Sequence, residues 1–409
     1  MPTENIDYSD LFAKNLPDPS AKPSTDLPEY NFTYGHGSPD LLPIEGFIES
    51  ATRALRNDGR TLAVYPEHQA NGSLLGYLPL REFLVQKLAQ HRGIRITTDE
   101  VIVTSGSQQG ILLVMDSLLE PGDTVITELL SYAGTLGNLR RRNINIVGVP
   151  LDEGGMRMDH LDATLSNLQK KGVKPKFIYT IPTLHNPTGT TMGMDRRREM
   201  LRLSKQYGVP IFEDECYADL VFEKKYENAI RSLDESNFVL HVGSFSKSLA
   251  PGVRLGYVVA PWQLMAQMLA LKTDIGTATI GQMVVADFFQ NNFENHMDHL
   301  RSGLKRKRDS MVAALGEHFG PSVEIQIPRG GMFLWVKFPE NVDTRQVLPV
   351  ARQYGVAYNP GPDWAAYPDD DSHNAKNYAR LCYALPTEKQ IWEGIELMAK
   401  AFHQESVIP

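Results

Sequence analysis

Cysteine is scarce: the 409 residues contain two, Cys216 and Cys382. Two cysteines cannot build a disulfide framework, and no metal-type His/Cys spacing accompanies them, so no metal site is expected. So few cysteines suit a reducing compartment, and the expected location is cytoplasmic. Long apolar runs are also missing. The longest, "GILLVMDSLL" (110–119), is interrupted by Asp116 and falls well short of the ~20 residues that span a bilayer. The start, "MPTENIDYSDLF", lacks the basic and apolar regions of a secretory signal. No membrane association is expected. Positive charge is in deficit: 41 Lys and Arg against 49 Asp and Glu leave a formal charge of −8. A general nucleic-acid surface is therefore not expected. The basic run "GLKRKRDS" (303–310) fits the solvated face of a helix. Internal repeats and low-complexity tracts are absent too.

What is present is the balance of a soluble enzyme. A chain of 409 residues with 42% hydrophobic side chains has enough for two domains, or for one large domain with a smaller partner. Residues 1–45, rich in Pro, Ser, Asp and Asn, read as an extended N-terminal arm belonging to the smaller domain. Residues 46–285 alternate helical patterns with short apolar strands. "LPLREFLVQKLAQHRG" (78–93) has helical spacing and stops at Gly93. "EVIVTSG", "DTVITE", "NINIVGVP", "KFIYTIP", "VPIFEDE" and "FVLHVGSF" read as buried strands. This alternation predicts an α/β fold, a mostly parallel sheet covered by helices. Residues 286–409 change pattern and read as a smaller α/β domain. It opens on the amphipathic stretch 296–319 and closes on the helix "EKQIWEGIELMAKAF".

Several polar residues fall at the carboxyl ends of these strands, where a doubly wound sheet meets its ligand. Ser107 and Gln108 follow "VIVTSG", Asn186 follows "YTIPTLH", Asp214 ends "VPIFED", and Lys247 follows "HVGSFS". Each alone has an ordinary explanation as a cap, loop or surface residue. Their coincidence at one edge carries the argument. The residue types match the needs of pyridoxal 5′-phosphate. Its aldehyde needs an amine that is partly neutral near pH 7, and Lys247 sits among small residues with no acidic neighbour. Arg254 is a candidate source of the charge that lowers the lysine's pKa. The pyridine nitrogen needs a buried carboxylate, which Asp214 offers. The phenolic oxygen needs a neutral donor, which Asn186 offers. The phosphate needs N–H groups at a helix start with hydroxyl and amide side chains, and "SGSQQG" before an apolar helix provides them.

"NPTG" (186–189), "EDECYADL" (213–220) and "SFSKSLAPGVRLGY" (244–257) then stand in a known order and spacing. The chain resembles the fold-type-I, pyridoxal-phosphate-dependent aminotransferases of class I/II over roughly residues 30–405. "TSGSQQG" and "LSYAGTL" are most similar to the 2-aminoadipate, kynurenine and aromatic aminotransferase branch. The resemblance implies that Lys247 forms the internal aldimine and shuttles the Cα proton. It implies that Asp214 holds the pyridinium and that Asn186 and Tyr217 contact the phenolic oxygen. Ser107, Gln108, Ser244, Ser246 and Arg254, with the backbone of Gly106, would cradle the phosphate. Tyr132 resembles the residue that stacks on the ring. Arg380 resembles the arginine that grips the substrate α-carboxylate with two parallel hydrogen bonds. Gly37 resembles the arm glycine near that carboxylate.

The resemblance further implies a homodimer with shared active sites, acting on an amino acid and a 2-oxo acid. The acceptor expected is 2-oxoglutarate. "YPEHQANGSLLGYLPLRE" (65–82) departs from the family, with Tyr65 unusually far from Gly76. Tyr65 is the candidate for a phosphate contact across the dimer, Tyr77 is expected to pack, and the extra residues are expected to reshape the substrate pocket. "TELLSYAG" also lacks the proline often found before the stacking tyrosine. Elimination, decarboxylation, cyclisation or oxidation on the same site stays open as an alternative. Some ligand-sensing regulators place a winged helix before a similar domain. Here about 45 Pro-rich, non-basic residues precede it, and no such DNA-binding domain is expected.

Overall fold

The computed structural model describes residues 6–13, 16, 27–223 and 227–404. Residues 1–5, 14–15 and 17–26 of the expected arm, and 405–409 of the expected C-terminal domain, lie outside the described residues.

Seven strands form the central sheet, in the order Val101–Thr104, Gly256–Val259, Val239–Ser244, Ile211–Asp214, Ile178–Thr180, Thr124–Glu128, Asn145–Val149. The first six are buried along their whole length, as helices on both faces of a largely parallel sheet require. Gly256–Val259, which is not among the strands expected from the sequence, runs antiparallel to both neighbours. The physical reason is its connection. A parallel return needs a crossover of about a dozen or more residues, usually a helix. Residues 245–255 contain Pro251 and Gly252 and form only a short 3-10 turn at Pro251–Val253. The other six strands point one way, so Thr104, Glu128, Thr180, Asp214 and Ser244 end at a common edge.

A second, antiparallel sheet orders Glu324–Ile325, Phe333–Lys337, Tyr378–Cys382 and Asn359–Pro360. The arm joins this side: Tyr30–Asn31 pairs in parallel with Val356–Ala357. The boundary expected at 285/286 falls inside one continuous helix, Thr279–Phe319, of 41 residues. No proline interrupts that helix, and at ~1.5 Å per residue it runs about 60 Å. It packs on Ile44–Asp58 and Leu78–Arg92 near one end and on Glu388–Gln404 near the other. One apolar cluster follows it, from Phe83, Phe289 and Phe293 to Phe319, Phe338 and Phe402.

The basic run lies on this helix and is only partly a solvated face. Lys305 pairs with Asp309, Arg306 with Glu388, and Arg308 with Asp309. Lys307 is buried instead. Its ammonium donates to Ser38 Oγ and the Ala384 carbonyl and pairs with Asp40 at 3.0 Å, tying the arm to the second sheet. Among the described residues no helix is long and apolar enough to cross a membrane.

Candidate active site

The common strand edge opens into a cleft of about 450 Å³, closed on the far side by the arm and the second sheet. Lys247 lies in it, just beyond the strand Val239–Ser244. Its Nζ donates to the Gly35 carbonyl at 2.6 Å. Burial is the main force holding its pKa below the ordinary lysine value, and the charges of Arg380 and Arg254 act in the same direction. Arg254 is therefore a contributor rather than the chief cause.

Asp214 ends its strand in a run of three acids. Its two neighbours face away and have basic partners. Glu215 accepts from Arg92 at 2.7 Å and Arg197 at 3.2 Å, and Glu213 sits 3.0 Å from His241 Nδ1. Asp214 lines the cleft and, among the described residues, takes neutral donors alone, the Tyr179 hydroxyl at 2.6 Å and the Cys216 N–H at 3.2 Å. Burial raises its pKa, and those two donors oppose the rise. A buried carboxylate without a protein cation is suited to a cationic ligand group.

Arg380 comes from the second sheet, on the strand Tyr378–Cys382. Its guanidinium lies between the Phe333 and Trp364 rings, 4.0 Å from each centroid. Nη2 donates to the Thr33 carbonyl and to Asn359 Oδ1, and Nη1 donates to Asn186 Oδ1 at 3.1 Å. Burial lowers its pKa to about 10, which leaves it charged at neutral pH. Because Asn186 Oδ1 accepts from Arg380, its amide nitrogen faces the Tyr217 hydroxyl at 3.3 Å. The Tyr217 hydroxyl stays protonated, since burial pushes its pKa well above the usual value. Asn186 and Tyr217 thus present neutral donors beside the cleft.

The anion cup forms where Thr104 gives way to the helix Ser107–Leu118. Gly106 turns the chain with φ of +77°, and a Cβ there would come within 2.7 Å of Arg254 Nη2. Only glycine lets the guanidinium approach so closely. Arg254 is itself held left-handed, at φ 50°. Ser107, Gln108, Ser244 and Ser246 line the same region, and Gln108 Nε2 is buried without a partner among the described residues. Helix-start N–H groups, hydroxyls and a guanidinium together suit a phosphate. Tyr132, at the start of the helix Ala133–Arg141, forms another wall.

Two expected residues stand elsewhere. Gly37 does not line the cleft; Thr33, Tyr34 and Gly35 do. A Cβ on Gly35 would lie 3.0 Å from Phe333 and 3.3 Å from Lys247 Nζ, so Gly35 is the arm glycine in close approach. Tyr65 is 65% exposed and also lies outside the cleft. Residues 65–82 line none of the cleft of their own chain. They pack on the long helix, where Thr279 Oγ1 donates to Gln69 and the Tyr77 N–H donates to Gln282. Tyr77 is buried as expected, its hydroxyl 3.0 Å from Asp58 Oδ2. Phe333, Trp364, Asn359 and Tyr179 were not legible as site residues. Each acts through a neighbour brought close by strand pairing or by the second sheet.

A lysine, an uncompensated carboxylate and an anion cup at the carboxyl edge of this sheet define a pyridoxal-phosphate-dependent enzyme of fold type I. The pattern of the aminotransferase class I and II family matches residues 36–397, and the chain belongs to that family. Aromatic-amino-acid aminotransferase 1 of Thermococcus litoralis is 33% identical over 374 residues, covering 91% of this chain and 87% of its own length. The multiple substrate aminotransferase of Thermococcus profundus superposes with a TM-score of 0.88 at 30% identity, over 98% of this chain and 99% of its own. An alpha-aminoadipate aminotransferase of Thermus thermophilus, solved with N-(5′-phosphopyridoxyl)-L-leucine, gives 0.86 at 28% identity, over 98% and 99%.

The residues present fit pyridoxal 5′-phosphate. The glycine cradle against Arg254, the orphaned Gln108 amide and the cation-free Asp214 each match one part of it. The chain is a transaminase that uses this cofactor for amino-group transfer.

Proposed function

We propose that this enzyme moves the amino group of an L-amino acid to a 2-oxo acid, 2-oxoglutarate, in two alternating half-reactions. When bound, pyridoxal phosphate supplies the carbonyl that receives the amino group and the conjugated ring that takes up the electron pair released at Cα. Lys247 Nζ anchors the cofactor and then takes the proton from the substrate Cα. An amine must be neutral to do so, and burial favours that form. Asp214 holds the proton on the pyridine nitrogen, while Asn186 and Tyr217 donate to the phenolic oxygen. Gly106, Ser107, Gln108, Ser244, Ser246 and Arg254 hold the phosphate, and Tyr132 covers the ring. Arg380 receives the α-carboxylate, with Asn186 beside it and Gly35 where Gly37 was expected. The observation that carries this reading is the convergence of Lys247, Asp214 and Arg380 on one cleft.

The test is a mass balance. The purified enzyme, its cofactor, 2-oxoglutarate and each of a panel of L-amino acids are incubated together. Glutamate and the matching 2-oxo acid should appear one for one. Ammonia or carbon dioxide in place of glutamate would assign the site to elimination, oxidation or decarboxylation.

A homodimer working in the cytoplasm is part of the same reading. An apolar groove lined by Phe47, Ile48, Val253, Leu255 and Ile280 shares Arg254 with the cleft. Ile44, Ile48, Tyr65 and Ile280 stand 53%, 54%, 65% and 48% exposed, which suits cover by a second copy. In that reading Tyr65, exposed in the single chain, is the residue that contacts the partner's phosphate. Both cysteines are free thiols, in keeping with a reducing compartment.

A further inference from the structure

We propose that Tyr179 is a positioning residue whose hydroxyl fixes the orientation and the negative charge of Asp214 while leaving that charge available to the cofactor. The inference rests on the reading of Asp214 as the partner of the pyridine nitrogen.

The observation is a contrast among three consecutive acids. Glu213 and Glu215 are buried, and the fold gives each of them basic partners. Asp214, equally buried, receives a phenol and a backbone amide. The difference matters because desolvation favours the protonated form of a buried carboxyl. A protonated Asp214 could not hold a proton on another group. An arginine or lysine beside it would keep it ionised but would also cancel the charge that a pyridinium needs. A phenol does neither. Its O–H stabilises the carboxylate through one short, charge-assisted bond and brings no positive charge of its own.

Tyr179 is built for that task. It sits in the strand Ile178–Thr180, beside the strand that ends in Asp214, and is fully buried. Its ring packs edge-on against Phe212, centroids 5.7 Å apart, so the hydroxyl has a fixed direction. The bond goes to Oδ2 at 2.6 Å, while the Cys216 N–H takes Oδ1. Two donors on two oxygens define the plane of the carboxylate. Tyr179 also keeps its proton, because burial and the Asp214 charge both raise its pKa.

The experiment is a double-mutant cycle on the full chain, read by pyridoxal phosphate binding rather than by turnover. Tyr179→Phe removes one oxygen and keeps the ring packing. A hydrogen bond to a charged group is worth about 10- to 100-fold in an equilibrium. Tyr179→Phe should therefore weaken cofactor binding by about 10-fold or more when Asp214 is present. On top of Asp214→Asn the same change should cost less than about 2-fold, because the charge it serves is gone. In steady state, kcat should fall while the KM of the amino donor stays within about 2-fold, since Arg380 is untouched. Equal losses with and without Asp214→Asn would make Tyr179 a packing residue, and no loss in either would dismiss it altogether. Either result overturns the proposal and leaves the reading of Asp214 standing. If Asp214→Asn alone binds the cofactor as tightly as the wild type, the reading of Asp214 falls, and this inference falls with it.

Discussion

Glu128 offers a direct test of how the fold carries its buried acids. It closes the strand Thr124–Glu128 and is 1% exposed. Oε1 accepts from Thr180 Oγ1 at 2.5 Å and from the Ile181 N–H at 3.0 Å, and Oε2 accepts from Ser131 Oγ at 3.2 Å. Its basic neighbour, His185, has Nε2 3.9 Å away but stays neutral, its pKa lowered by burial to about 3. Burial is therefore the main influence on Glu128 and raises its pKa from 4.5 to about 7. A rise of about 2.5 units, at 1.36 kcal/mol each, corresponds to about 3 kcal/mol. The sign follows from the raised value. Between about pH 4.5 and about pH 7 the folded chain holds a proton that the unfolded chain has released, so stability falls as pH rises through that window. Glu128→Gln keeps an acceptor for Thr180 and Ile181 and cannot ionise. Urea unfolding of both proteins from about pH 4 to about pH 8 isolates the residue, because all other titrations cancel in the difference. The two should be nearly equal at the acid end. The variant should be about 3 kcal/mol the more stable at the alkaline end. A gap that does not change with pH would refute the reasoning.

Two further outcomes follow from the site itself. Arg380→Ala should raise KM for α-amino acids by about 10- to 100-fold, as the loss of a charge-assisted carboxylate contact requires. Steady-state kinetics with an amine that lacks a carboxylate should show little change, and an equal loss there would remove Arg380 from carboxylate binding. Gly106→Ala should weaken pyridoxal phosphate binding by at least about 10-fold, because the backbone is left-handed and the new Cβ displaces Arg254. Equilibrium titration with the cofactor checks it, and unchanged affinity would show that the cup tolerates a side chain.

Much of this was legible in the sequence because strand ends and motifs are local. Lys247, Asp214, Asn186 and Ser107 each follow a recognisable apolar strand, and such strands in a parallel sheet end at one edge. The antiparallel strand Gly256–Val259 was missed because it lies inside a stretch marked by Pro251 and Gly252. Its direction depends on loop length rather than on composition. The expected division near residue 285 follows a change in the polarity of the chain, and the helix Thr279–Phe319 runs unbroken through that point. Gly35 and Gly37 are indistinguishable in "GHGSPD"; only the anchoring of the arm by Phe32 and Ser38 decides which reaches Lys247. Phe333 and Trp364 stand apart from Arg380 in the sequence, and only the folded chain brings both against it. The signal that was available for Tyr179 is weak: a polar aromatic in a strand beside the one that carries the acid.

The most direct test of the central claim is a half-reaction. The holoenzyme is mixed with one amino acid at a time, without any 2-oxo acid, and the visible absorbance and products are followed through one turnover. The account predicts that a donor will bleach the cofactor band, release one equivalent of its 2-oxo acid and leave the cofactor as its amine. It also predicts that Lys247→Ala will do none of this at a comparable rate. A band that returns while ammonia or carbon dioxide accumulates would contradict amino-group transfer, and full activity in Lys247→Ala would contradict the role of the lysine.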